Sequence, residues 1–177
     1  NNFKIIHGDK ILVSVGGVPT RPCIKGAELG WLSDDIFVQN KLPDEILIVG
    51  AGYIACEFSS ILNGLGVKVR QLIRSDQILK GFDIDLSNVL VKNMKDKGIK
   101  MEFEDSPVSI TGVDCNLDVK TELYNSIKCG GVLFAIGRKP RLKGLNLSAA
   151  GVDLDGDRIK VDEDLRTNIE KTYFLTT

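Results

Sequence analysis

Gly50, Gly52 and Ala55 stand at Gly-x-Gly-x-x-Ala spacing directly behind the apolar run Ile46-Leu47-Ile48-Val49. That spacing suits a pyrophosphate. Gly50 permits a tight strand-to-helix turn, Gly52 leaves room for a phosphate to reach the backbone, and Ala55 lets a helix lie close to a sheet. Ala51, Tyr53 and Ile54 fill the turn and the first helical positions. The helix there aims free N–H groups and the positive end of its dipole at the phosphates. Strand before and helix after make this the dinucleotide-binding fingerprint in its required context.

A second set of residues would read the adenosine ribose. In NAD sites an acidic residue about 20 positions on bonds the 2′-hydroxyl. Here the second strand ends Gln71-Leu72-Ile73-Arg74, with Ile73 where the carboxylate is expected and Arg74 next. A guanidinium binds a 2′-phosphate through two parallel charge-assisted bonds, whereas a carboxylate repels it. Lys80 supplies a second cation, and Asp76 is the one acid close by. NADPH is therefore favoured over NADH.

These residues need a scaffold of alternating strands and helices. The pattern predicts strands over 45–49, 67–73 and 99–103 and helices over 53–65 and 84–97. Phe58, Ile61, Leu62 and Leu65 are the expected buried face of the first helix, and Leu86, Val89, Leu90 and Met94 that of the second. Gly66 and Gly98 are the expected stops. Short alternating segments between 108 and 128, punctuated by Gly112, residues 114–116 and Asn125, predict a small antiparallel meander. The parallel sheet resumes at 131–135. Residues 10–15 read as a strand, and 152–161 as a hairpin turning at Asp155-Gly156. Residues 19–44 read as a connection with one helical turn near 33–37, capped by Ser33. The fold class expected is α/β: a Rossmann-like parallel sheet with helices and an antiparallel β-meander insertion.

Composition excludes several classes. The chain has 177 residues, a net charge of −1 and 43% hydrophobic residues. No basic excess points to nucleic acid or an anionic membrane, and no apolar run reaches a membrane span. No signal peptide is recognisable at its start. The four cysteines, Cys23, Cys56, Cys115 and Cys129, form no Cys-x-x-Cys pair. Neither a zinc site nor a local redox pair is indicated, no metal is expected, and free thiols in a reducing cytoplasm are. Asp153, Asp155 and Asp157 lack the sixth-position Gly and twelfth-position Glu of a calcium loop, so a turn is the better reading.

The stretches Gly50–Phe58 and Leu72–Asp83 together resemble the FAD-dependent pyridine-nucleotide disulfide oxidoreductases. The likeness covers nearly the whole chain. Ser14-Val15-Gly16-Gly17-Val18-Pro19 resembles the family's Ala-Thr-Gly-Gly-x-Pro segment, and Ser33-Asp34-Asp35-Ile36-Phe37 the short helix after it. Ala135-Ile136-Gly137-Arg138-Lys139-Pro140 resembles the Ala-x-Gly-Arg-x-Pro loop that closes over the cofactor. Val161-Asp162-Glu163 and Arg166-Thr167-Asn168 resemble the lead back to the flavin domain.

The resemblance implies roles. Tyr53 matches the ring that gates the flavin, and Glu57 the carboxylate near nicotinamide and flavin. Arg74 and Lys80 match the 2′-phosphate pair, usually two arginines. Ile136 and Gly137 match the loop on the cofactor. It also implies parts that this sequence lacks: a Cys-x-x-x-x-Cys redox pair and a His-Pro. No catalytic residue is expected here, and the one histidine, His7, reads as a surface residue. The flavin motifs are worn, with Val15 for Thr, Gly130 for Asp, and an altered ending at 173–177. The expected organisation is remnant strands of a flavin domain at 1–19, a connecting segment at 20–44, an NADPH-binding Rossmann domain at 45–166 and a truncated return to the flavin domain at 167–177. The terminal strands would have lost their partners. FAD would belong to the parent enzyme and not to this piece. Its partners would be the flavin and interface domains of that parent, a homodimer. The alternatives for substrate (glutathione disulfide being favoured) are lipoamide, mercuric ion and CoA disulfide. A stand-alone, non-catalytic nucleotide-binding module also stays open.

Overall fold

The computed structural model describes residues 4–123 and 126–175. Asn125 and the last two residues of the expected return at 167–177 lie outside them, as does the start of the segment 1–19. The chain divides into two compact units, one of residues 1–18 with 138–177, the other of 19–137.

In chain order the strands begin with β1 (Ile11–Val13), β2 (Gly17–Pro19) and β3 (Trp31–Leu32). Strand β4 (Glu45–Val49), helix α1 (Tyr53–Gly64), strand β5 (Lys68–Ile73), helix α2 (Ile84–Asp96) and strand β6 (Lys100–Phe103) follow. Next come β7 (Pro107–Val113), β8 (Asn116–Thr121), β9 (Ile127–Cys129) and β10 (Gly131–Phe134). The last strands are β11 (Arg138–Pro140), β12 (Leu154–Asp155), β13 (Arg158–Ile159) and β14 (Thr172–Phe174).

The larger unit is built on a parallel sheet in the order β3-β10-β4-β5-β6. Strands β4 and β10 read as apolar runs because both faces are covered. Ile46, Ile48, Val69, Ile73 and Leu133 face one layer with Ala55, Leu62 and Met94 of the helices. Leu47, Val49, Leu72, Val132 and Phe134 face the other, with Ile110, Leu117, Val119 and Ile127 of the antiparallel meander β7-β8-β9. The α/β class, the parallel sheet and the meander are as the sequence leads one to expect. Both helices end in the expected glycine turns: Val67 N–H bonds the Leu62 carbonyl and Ile99 N–H that of Met94.

Three expectations need correcting. The buried stripe of α1 is Ala55, Cys56, Ser59 and Leu62, while Ile61 and Leu65 are 54% and 66% exposed. Small residues face the sheet because the helix lies close to it, so the larger ones stand outside. In α2, Ser87 and Met94 are buried and Leu86 and Val89 exposed. Residues 19–44 are more than a connection. Trp31 and Leu32 pair with Leu133 and Phe134 as an edge strand, and the following turn is a 3-10 helix at Asp35–Val38. Asp35, not Ser33, anchors that turn, accepting a bond from the Leu32 N–H at 2.7 Å.

In the smaller unit β1 pairs in parallel with β14, so these end strands have one another as partners. Ile11 and Leu12 nevertheless stay more than half exposed. The hairpin β12-β13 forms as expected, but Asp155 pairs with Arg158, so the turn is Gly156-Asp157, one residue later than the sequence suggests. His7 is exposed.

Candidate functional site

In the parallel sheet the chain runs from β4 outward through β5 to β6, then returns to β10 on the other side of β4. The loop that follows β4 at its carboxyl end therefore lies at the switch point of the sheet, and such switch points are where open α/β sheets bind ligands. Gly50 begins that loop. Its φ of +144° disfavours any L side chain, and a Cβ there would lie 2.3 Å from the Ala135 carbonyl oxygen. The glycine is required by the close passage of the loops after β4 and β10.

Gly52 is different. Its φ of −81° is open to any residue, and a Cβ would meet nothing within 4 Å. The fold makes no demand for glycine here. Gly52 caps α1 with no side-chain bond and no acid in the first turn. By contrast, Asp83 caps α2, accepting from the Asp85 N–H at 2.8 Å. A helix leaves its first N–H groups without intrahelical partners. Those of α1, with the N–H groups of Ala51 and Gly52, take no protein partner among the described residues.

The turn is firmly anchored from behind. Gly50 N–H bonds the Leu72 carbonyl at 2.9 Å, and Leu79 N–H bonds the Ala51 carbonyl at 2.7 Å. Gln71 Nε2 donates to the Gly50 carbonyl at 3.0 Å, and Ser59 Oγ donates to Gln71 Oε1 at 3.1 Å. Gln71 and Ser59 are fully buried. Neither has a position in the motif that marks it as a site residue. The available signal is a glutamine between Val69 and Ile73, the apolar residues on the same face of the strand. Cys56 lies beside this pair, and burial pushes its thiol above the ordinary value.

Arg74 is the first residue past β5 and is exposed, as is Lys80. Neither makes an ion pair or side-chain hydrogen bond among the described residues, whereas Arg70 is committed to Glu102 at 2.7 Å. Asp76, also exposed, does not engage Arg74. Through the Leu79–Ala51 bond the backbone beside Lys80 reaches the glycine turn. Tyr53 is 58% exposed at the start of α1, and Glu57 is exposed one turn on. Ile54 is half-buried and Ala55 fully buried. Ile136 and Gly137 are exposed on the β10 loop, where Thr20 bonds the Gly137 carbonyl through its N–H and Oγ1, each at 2.9 Å. The residues picked from sequence thus sit on loops and one helix start at the carboxyl ends of β4, β5 and β10. A cavity of about 450 Å³ lies at the opposite, amino end of β4, between Pro43, Cys115 and Lys128, away from all of them. Among the described residues no three His, Cys, Asp or Glu side chains are placed to hold a metal, and no helix is long and apolar enough to cross a membrane.

Comparison with known proteins identifies the family. The family model described as pyridine nucleotide-disulphide oxidoreductase matches residues 1–175. The chain belongs to that family. Among its relatives in the pyridine nucleotide-disulphide oxidoreductases, glutathione reductase of Burkholderia cepacia is 39% identical over 164 residues, 92% of this chain and 36% of that one. Mitochondrial thioredoxin reductase 2 of Drosophila melanogaster is 38% identical over 175 residues, 95% of this chain and 34% of that one. The HOCl-induced flavoprotein disulfide reductase RclA from Escherichia coli superposes with a TM-score of 0.86 at 25% identity, over 96% of this chain and 40% of that one. The fold is thus the α/β FAD/NAD(P)-binding fold of these reductases. The chain spans about a third of the length of the curated relatives it matches.

Proposed function

We propose that this chain binds NADPH as the nucleotide-binding part of a flavin-dependent disulfide reductase whose substrate is glutathione disulfide. The observation that carries the reading is the pairing of an open, uncapped glycine turn with an uncommitted guanidinium, Arg74, beside it. In this reading the N–H groups of Ala51, Gly52, Tyr53 and Ile54 hold the pyrophosphate, and Ala55 keeps the helix close enough for them to do so. Arg74 and Lys80 grip the 2′-phosphate; lysine keeps the charge but lacks the planar fork, so Arg74 dominates. Tyr53 and Glu57 flank the nicotinamide, and the loop at Ile136 and Gly137 covers the cofactor. When bound, NADPH supplies a hydride for a flavin, and the electrons pass on to a disulfide. FAD, the redox cysteines and the dimer partner belong, in this proposal, to the parent enzyme in a reducing cytoplasm. The relationship to a thioredoxin reductase keeps a protein disulfide as the second reading of the substrate.

Fluorescence titration tests the cofactor assignment. NADPH should bind at least about tenfold more tightly than NADH, the scale of one charge-assisted contact. Arg74→Glu should reverse the order. Equal affinities in the unaltered chain would overturn the assignment. A flavin absorbance band in the purified chain would overturn the placing of FAD elsewhere.

A further inference from the structure

We propose that Gln71, braced by Ser59, is a positioning residue that sets the pyrophosphate cradle by holding the Gly50–Ala51 peptide in one orientation. The inference rests on the NADPH reading and deepens it. The Gly50 carbonyl accepts from Gln71 Nε2 at 3.0 Å and has no other partner among the described residues. A trans peptide is planar, with its C=O and N–H pointing in opposite directions. Drawing the Gly50 carbonyl toward Gln71 therefore turns the Ala51 N–H away from it, and that N–H meets no protein acceptor among the described residues. The Leu79–Ala51 bond fixes the next peptide in the same way. Two consecutive peptides are thus pinned by their carbonyls while their N–H groups stay free.

The pinning group is itself rigid. Gln71 is 0% exposed; the Gly50 carbonyl can only accept and so takes Nε2, which leaves Oε1 to accept from the Ser59 hydroxyl at 3.1 Å. Ser59 belongs to α1, the helix whose N-terminus completes the cradle. One buried side chain therefore ties β5, the glycine turn and α1 together. Burying an amide and a hydroxyl in an apolar layer is unfavourable unless they bond. These two bond one another and the turn.

The test separates the two ends of the ligand. NADPH needs the cradle, whereas adenosine 2′-monophosphate has the 2′-phosphate and no phosphate at the 5′ position. Both are titrated calorimetrically against the full chain, Gln71→Leu and Ser59→Ala, with thermal unfolding as the check on folding. Gln71→Leu should weaken NADPH about tenfold and leave the 2′-monophosphate within about twofold of the unaltered chain, the scale of one lost buried hydrogen bond. Ser59→Ala should give the same selective loss, smaller in size, and carries the test alone if Gln71→Leu does not fold. Unchanged NADPH affinity, or an equal loss for both ligands, would overturn the positioning role and leave the nucleotide reading standing. An unaltered chain that binds neither ligand would overturn that reading and this inference with it.

Discussion

Gly50 and Gly52 are two residues apart and look interchangeable in a motif, yet they answer to different forces. At Gly50→Ala the new methyl would lie 2.3 Å from the Ala135 oxygen at a φ of +144°, so the protein itself must shift. The expected cost exceeds about 2 kcal/mol, seen as a lower urea midpoint. At Gly52→Ala the methyl meets open space, so stability should stay within about 1 kcal/mol while NADPH affinity falls. A Gly52→Ala chain with full affinity would show that no phosphate approaches there. The cysteines divide in a similar way. Cys23 and Cys115 are exposed and should react with a thiol reagent in the native state, and buried Cys56 and Cys129 only on unfolding. Burial pushes the Cys129 thiol from 9.0 up to about 11. The unfolded chain therefore releases this proton first as pH rises. The stability linked to Cys129 is whole below about pH 9 and is lost on the way to about 11, a change on the order of 2–3 kcal/mol. Cys129→Ala, compared with the unaltered chain in urea at pH 8 and pH 10.5, should lose less stability on that rise; equal losses would refute the linkage.

At the scale of elements, type and order were legible and facing was not. Apolar runs mark β4 and β10, and the periods and glycine stops mark α1 and α2. The face of α1 was misread because hydrophobicity favours Ile61 and Leu65, while close packing on the sheet favours Ala55, Cys56 and Ser59. Strand β3 escaped for another reason. It has two residues, and only its pairing with β10, distant in sequence, makes it a strand. Gly30 before it has no local signal either; a Cβ there would reach the Phe134 ring at 2.5 Å. The site followed the same rule. Gly50, Gly52, Arg74 and Lys80 are announced by spacing along the chain, whereas Gln71 matters through Ser59 and Gly50, contacts that exist only once the sheet has formed. The corrected faces make a direct prediction. Leu62→Ala should cost about 2–4 kcal/mol as a cavity beneath the helix, and Ile61→Gln or Leu86→Gln within about 0.5 kcal/mol, by urea unfolding. Equal costs at Leu62 and Ile61 would restore the face expected from sequence.

For the whole molecule, the question is which stretch of chain carries the nucleotide site as a folding unit. Sequence reasoning draws the nucleotide domain at 45–166; compactness groups 19–137. Every candidate residue, from Gly50 to Gly137, belongs to both stretches, so binding residues alone do not choose between them. The core does. Ala27 is 5% exposed within the meander-side layer, with Ile24 and Leu32 packed against it. Ile110 N–H bonds the Lys25 carbonyl at 2.8 Å, and β3 covers the open edge of β10. A piece starting at 45 would uncover Phe134 and Ile110, which are buried within that layer, and leave β10 as a bare sheet edge, a site for unwanted strand pairing. Residues 138–166 offer no compensation from within the sheet, since none of its strands comes from them. The 19–137 piece should therefore unfold in one cooperative urea transition and bind NADPH with the affinity of the full chain. The 45–166 piece should aggregate or unfold without a sharp transition. Cooperative unfolding of 45–166 with full NADPH affinity, set beside a disordered 19–137, would move the domain boundary back to where the sequence alone puts it.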